Sequence, residues 1–246
     1  MEAIDYDVVE ASMKNYEGNY SDRFGFKKRE GVNIPTELEI FRQIGARMYY
    51  KFIVDDYNRE VFEALICWVN GLPFKSRTLK GEPMDGVPSK GAYIAGGTGT
   101  GKSMAVSVLL RYCYTRGIEI CLNGGRSVMF AAMRYHATEI CDSYRNSGII
   151  DYSSRIMCIE DLGTEEQSTS FMGNKINVLA QLLERRGDMR NLITIITSNL
   201  PPYALDDKQK SMGLKGLQYG DRAISRLQGM CNYFLLLGND RRVIKK

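Results

Sequence analysis

Three short stretches carry residues whose types and spacing could do chemistry. "GGTGTGKS", Gly96–Ser103, fits G-x-x-x-x-G-K-[ST]. Gly96, Gly97, Gly99 and Gly101 let the backbone N–H groups of this loop, Thr98 and Thr100 included, turn inward onto phosphate oxygens. A helix starting at Gly101 and running on through Met104 aims its positive dipole end at the same point. Lys102 has the reach for the β- and γ-phosphates of ATP, and the Ser103 hydroxyl can ligate Mg²⁺. The second stretch, "IMCIED", is an apolar run ending in Glu160 and Asp161. Taken alone, a strand entering a polar turn is the commoner event. A phosphate loop about 58 residues upstream changes that, because such a site needs a second strand ending in an acid that faces the metal. Glu160 then stands on the metal side and Asp161 on the water side, with Ser103, Glu160 and Asp161 as the metal set. Glu165, in "GTEE", is a reserve for orienting water or Mg²⁺. The third stretch, "ITIITSNL", ends in Thr197-Ser198-Asn199. Asn199 at the carboxyl edge of a sheet could hold water against the γ-phosphate, although Asn at a strand end is more often a turn former.

Two further features are weighed against plainer readings. "DRAISRL" puts Arg222 and Arg226 four residues apart on one helical face. Such a pair suits the phosphates of a neighbouring molecule, or else an ordinary basic face paired with acids. His136 is the only histidine. It reads as mid-helix in "AAMRYHATEI", with no second His or Cys at ligand spacing, and so as structural.

The elements that must position these residues follow from periodicity. After Lys90, apolar strands alternate with helices: "GAYIAGG", then 101–116; "IEICLNG", then 126–147; "RIMCIEDLG", then 174–188; "LITIITSNL", then 219–230; and "NYFLLLGN". Five strands in this alternation predict a parallel sheet with helices on both faces, an α/β fold. Upstream, residues 1–36 lack periodicity. Residues 35–70 carry apolar side chains at helical spacing, with Gly71 and Pro73 as the stop. The chain therefore divides into an N-terminal arm and helical segment, 1–75, and a nucleotide-binding domain, 76–246.

Composition narrows the class. The chain has 246 residues, 44% hydrophobic and 25% charged, enough for one good core and a smaller appendage. No apolar run approaches the roughly 18–20 residues that span a bilayer, and the acidic "MEAIDYDVVEA" start has no secretory h-region. No membrane partner is expected. Six scattered cysteines, none in a Cys-x-x-Cys pair, read as reduced thiols of a cytoplasmic protein. From Pro201 onward nine Lys/Arg face four Asp, a balance compatible with a polyanion although a solvated surface is the plainer account.

Taken in order, "GGTGTGKS", "IEDLGTE", "ITIITSNL" and "YGDRAISRLQGMCNYFLLLGNDRR" resemble the AAA+ helicase loaders of the DnaC/DnaI type and the related IstB-like transposition ATPases, from about Asn70 to Arg242. The resemblance implies a P-loop NTPase of the AAA+/ASCE group, with strand order 5-1-4-3-2. It makes Arg226 an arginine-finger candidate, Arg222 its helper, Asn199 a first sensor and Arg242 (or Arg241) a second. It further implies ATP and Mg²⁺ as cofactors and nucleotide-dependent homo-oligomers. The implied partners are a replicative helicase, or a transposase in the IstB branch, together with single-stranded DNA. Arg126, Arg134 and Arg145 with Phe130, Tyr135 and Tyr144 stand where loaders place a DNA-facing helix. The resemblance thus implies a helicase loader in DNA replication with ATPase activity. The alternatives are a transposition helper, a P-loop kinase, or a nucleotide-dependent scaffold that barely hydrolyses. The family usually writes Asp first in the acidic pair; here the order is Glu160-Asp161, so tight binding and slow turnover are expected.

Overall fold

The computed structural model describes residues 24–78, 80–122, 126–189, 191–201 and 219–241. Elements in chain order are β1 (Gly25–Phe26), α1 (Ile34–Met48), α2 (Arg59–Val69), β2 (Lys75–Arg77), β3 (Pro83–Asp85), β4 (Gly91–Ala95), α3 (Lys102–Thr115), β5 (Glu119–Cys121), β6 (Ser127–Met129), β7 (Met133–His136), α4 (Ala137–Ser147), β8 (Ile156–Leu162), β9 (Thr169–Phe171), β10 (Asn174–Ile176), α5 (Val178–Asp188), β11 (Ile193–Ser198), α6 (Gly220–Met230) and β12 (Cys231–Leu235).

The central sheet has seven strands in the order β3-β2-β12-β4-β11-β8-β7. Strands β12, β4, β11, β8 and β7 run parallel, and the β2–β3 hairpin adds antiparallel at the β12 edge. Strand β4 shows why the sheet is covered on both sides. Ala92 and Ile94 belong to one buried cluster with α1, α2 and α3, whereas Tyr93 and Ala95 belong to another with α4, α5 and α6. Alternate side chains of a strand point to opposite faces, so a wholly apolar strand requires two apolar covers. Trp68 of α2 and Phe41 of α1 are fully buried in the first cluster, so the described helices of the N-terminal segment pack directly on the phosphate-loop side of the sheet.

Three expectations fail in detail, and the helical segment 35–70 resolves into two helices. Its break lies at 49–58, where Phe52 folds back over Gly45; a Cβ there would come within 2.1 Å of the Phe52 ring. The segment expected as strand two, "IEICLNG", leaves the main sheet. Its strand β5 joins a separate antiparallel sheet, β1-β5-β6. The edge place beside β8 goes to β7, so the expected helix 126–147 is two short strands followed by α4. That helix begins only at Ala137, where Glu139 accepts a hydrogen bond from the His136 backbone N–H at 2.8 Å, one half of a capping box. Likewise the expected helix 174–188 starts at Val178, capped by the Asn177 side chain, which accepts from Ala180 N at 2.9 Å. The hairpin β9–β10 precedes it. Its two-residue turn, Met172-Gly173, has φ of 46° and 84°, and such left-handed pairs match strand twist.

Arg186 of α5 ties this layer together. It is 1% exposed and donates to Thr194 Oγ1 (3.0 Å) and to the carbonyls of Tyr152 (2.9 Å), Ser154 (2.8 Å) and Ile193 (3.0 Å). Burial lowers its pKa to about 10. Arg186→Met leaves four acceptors unpaired in the interior. It is expected to cost about 3 kcal/mol and to lower Tm by roughly 6–12 °C in a thermal melt. An unchanged Tm would show that these bonds add nothing net. Among the described residues no helix is long and apolar enough to cross a membrane.

Candidate nucleotide site

Strands β4, β11, β8 and β7 all end at one edge of the sheet, and the residues singled out by chemistry gather there. A cavity of about 410 Å³ is lined by Lys51, Thr98, Gly99, Gly101, Lys102, Ser103, Met104, Asp161, Asn199 and Arg241. Gly101, at φ 97°, is the N-cap of α3, a left-handed conformation that costs glycine little. Gly96 has no room for a side chain, since a Cβ would lie 2.3 Å from the Leu236 carbonyl oxygen. Thr100 closes the loop on itself by donating to Gly97 O at 2.9 Å. The Lys102 ammonium is buried and donates to Gly96 O (2.8 Å), Gly97 O (2.9 Å) and Asn199 Oδ1 (2.7 Å). Lysine and first-sensor candidate are thus already in contact across two strands.

The two acids part company. Opposite β8, Ile196 pairs with Ile159 and Ser198 pairs with Leu162, so Glu160 and Asp161 together face Thr197 alone. This β-bulge adds one residue and re-aims the side chains beside it. Asp161 takes φ 54°, and its N–H is held by Thr197 Oγ1 at 3.0 Å. Asp161 lines the cavity, and His136 Nε2 lies 3.1 Å from its Oδ2. Glu160 does not line the cavity. Its Oε1 accepts from Arg134 Nε at 2.9 Å and from the second nitrogen of the same guanidinium. Arg134 also donates to Ser107 Oγ on α3 at 3.0 Å. Burial opposes the charge on Arg134, but its bonds to Glu160 outweigh that, and its pKa is raised.

Other expected residues are placed elsewhere. Glu165 is buried, accepting from Gly163 N at 2.8 Å and from the Tyr219 hydroxyl, so it does not reach the cavity. Burial pushes its carboxyl up, against the bond from Tyr219. Arg226 pairs with Asp188 at 2.6 Å, and Arg222 with Glu184 (3.4 Å) and Asp188 (3.5 Å), all on α5 of the same chain. Neither arginine lines the cavity, and Arg226 Nε is buried with no hydrogen-bond partner among the described residues. Arg242 lies outside the described residues. Its neighbour Arg241 does line the cavity, donates its N–H to Gly99 O at 3.0 Å and pairs with Asp55 at 2.9 Å. Of the set expected on a DNA-facing helix only Tyr144 and Arg145 lie on α4; Phe130 and Tyr144 are core residues, Arg134 is paired with Glu160, and Arg145 is paired with Asp142 and Glu166.

Sequence reasoning missed His136 and Arg134, because both were read as helical when they stand two residues apart at the end of an edge strand. It also missed Lys51, from the loop between α1 and α2. The only available signal was Glu139, three residues after His136, marking a helix start.

No protein-family model and no curated protein matches the sequence. Solved structures do. The crystal structure of DnaI is similar over 82% of this chain and 93% of its own, at 16% identity and a TM-score of 0.50. The DnaC helicase loader is similar over 80% and 99%, at 14% identity and a TM-score of 0.48. AMPPCP-bound DnaA from Aquifex aeolicus covers 78% and 50%, at 17% identity and a TM-score of 0.46. With five parallel strands covered by helices on both faces, and a similarity that spans 93% of DnaI, the chain shares the α/β fold of DnaI.

Proposed function

We propose that the chain is an ATPase of the loader type, cleaving ATP to ADP and phosphate in the cavity beside Gly96–Ser103. The observation that carries this reading is the convergence of Lys102, Ser103, Asp161 and Asn199 on one cavity at the helix-α3 N-terminus. Lys102 exchanges its three protein acceptors for β- and γ-phosphate oxygens, and this frees Asn199 to hold the attacking water. Asp161 takes the proton of that water, and His136 Nε2 fixes the orientation of the Asp161 carboxylate. The Ser103 hydroxyl and Asp161 are hard oxygen donors on the cavity wall, with Glu160 behind them, and they fit Mg²⁺, which takes one or two protein oxygens with phosphates and waters. A Mg²⁺ held by these residues would supply positive charge against the phosphates.

Arg226 does not line its own chain's cavity and pairs with Asp188, so the reading gives it to a neighbouring subunit's nucleotide, with Arg222 beside it. Assembly must then break the pair with Asp188, and hydrolysis per subunit is expected to rise with protein concentration. Arg226→Ala is expected to remove that rise, lowering the assembled rate by about 10³-fold. A concentration-independent rate untouched by Arg226→Ala sinks the trans assignment.

The proposed setting is DNA replication, with the N-terminal segment 1–75 binding a replicative helicase and the ATPase domain 76–246 assembling on single-stranded DNA. Filter binding in the presence of ATP tests the DNA arm. Preference for single strands supports the loader; preference for duplex moves the chain to the transposition helpers, with a transposase as partner.

A further inference from the structure

Among the residues no motif anticipated, Arg134 has the most developed set of contacts. Both hydrogen bonds from its guanidinium to Glu160 fall on Oε1, while Oε2 accepts none among the described residues. A bidentate fork would have engaged both oxygens. Its third bond, to Ser107 Oγ, continues to the phosphate loop, because that hydroxyl donates to Ser103 O at 2.8 Å. The guanidinium therefore sits on the acid expected to serve the metal and is anchored to the helix turn that carries the expected metal-ligating serine. Strand register makes the placement stable. Strands β7 and β8 pair Arg134 with Cys158 and His136 with Glu160, so the arginine lies one step back along the edge strand, beside the carboxylate.

We propose that Arg134 is a built-in counter-cation of Glu160 that weakens the hold of this site on Mg²⁺, so that nucleotide without metal binds readily and the metal is taken up only at higher concentration. The inference rests on the assignment of the phosphate loop as a nucleotide site. Two like charges close to one carboxylate repel, and the partly covered Glu160 side chain limits screening on its own side while Arg134 stays exposed. Because Oε2 accepts from no donor among the described residues, Arg134 reduces the charge that Glu160 offers without blocking the carboxylate. It is a positioning residue, acting through Glu160; it does not line the cavity. A protein of this design separates nucleotide binding from metal engagement.

The test is a fluorescent, non-hydrolysable ATP analogue titrated onto the full chain, first in EDTA and then at increasing free Mg²⁺. Arg134→Gln is expected to lower the half-saturating Mg²⁺ by about tenfold while leaving affinity in EDTA within about twofold. Arg134→Lys keeps the charge and is expected to stay within about threefold of the unaltered chain. In a Glu160→Gln background, the Arg134→Gln shift is expected to vanish, since the effect passes through Glu160. Equal Mg²⁺ midpoints for the unaltered chain and Arg134→Gln, or a higher midpoint in the variant, overturn the proposal. A shift that survives in the Glu160→Gln background overturns the route through Glu160. Should Arg134→Gln melt below the assay temperature, Arg134→Met supplies the same neutral comparison with the apolar stem retained. If the unaltered chain binds no analogue with or without Mg²⁺, the nucleotide-site reading itself fails and takes this inference with it.

Discussion

Lys102→Ala is expected to lower nucleotide affinity by roughly 100-fold or more while the fold survives. The Lys102 ammonium is buried against the carbonyls of the glycine loop, and charge-assisted bonds to phosphate are among the stronger polar contacts. Its present acceptors, Gly96 O, Gly97 O and Asn199 Oδ1, border a cavity open to water. Losing the lysine leaves them hydrated instead of stranded, so Tm is expected to move by only a few degrees. Equilibrium binding of a fluorescent ATP analogue checks the first point and a thermal melt the second. Retained affinity would remove Lys102 from the nucleotide site.

Asp161→Asn is expected to lower kcat by about 10²–10³-fold, with little change in nucleotide affinity measured in EDTA, where its proposed part in holding Mg²⁺ does not enter. The backbone at this position makes the substitution clean. Asp161 sits at φ 54°, a left-handed conformation that Asn tolerates as well as Asp does, and the bulge is held through the backbone N–H to Thr197 rather than through the carboxylate. Asn also keeps a hydrogen-bonding group for His136. What it loses is the ability to take a proton. Asp161→Glu extends the carboxylate by one methylene toward the water and is expected to raise turnover, less a cost for Glu in a left-handed backbone. Unchanged turnover in Asp161→Asn, measured as phosphate release, would take Asp161 out of the water-activating role.

The parts of this architecture that the sequence made legible share a physical cause. Strands β4, β8, β11 and β12 are buried on both faces, so their runs are mostly apolar, and each leads into a chemically distinctive group: the glycine loop, Glu160-Asp161, Asn199, and the basic end at Arg241. The edge strand β7 has none of this. Met133 is 55% exposed, Arg134 and Tyr135 are polar-tipped, and "MRYHATEI" carries enough helix formers to merge with α4. An edge strand needs only one covered face, so its pattern is diluted, and the two residues that contact the acids were hidden with it. The bulge at Glu160–Asp161 was invisible for a different reason. Register depends on the partner strand, and a one-residue offset decides which acid enters the cavity and which meets Arg134. The swapped acid lengths were plain in the text; their different environments were not. Arg222 and Arg226 were correctly placed on one helix face, but their acids, Glu184 and Asp188, come from α5, about 40 residues earlier.

The most direct test of the central claim is an equilibrium titration of the full, unaltered chain with ATP, ADP and a non-hydrolysable ATP analogue, read by calorimetry. The account predicts one saturable site per chain for each nucleotide, competition between them, and loss of all three in Lys102→Ala. Absence of binding at millimolar nucleotide, or binding that Lys102→Ala leaves intact, would contradict it.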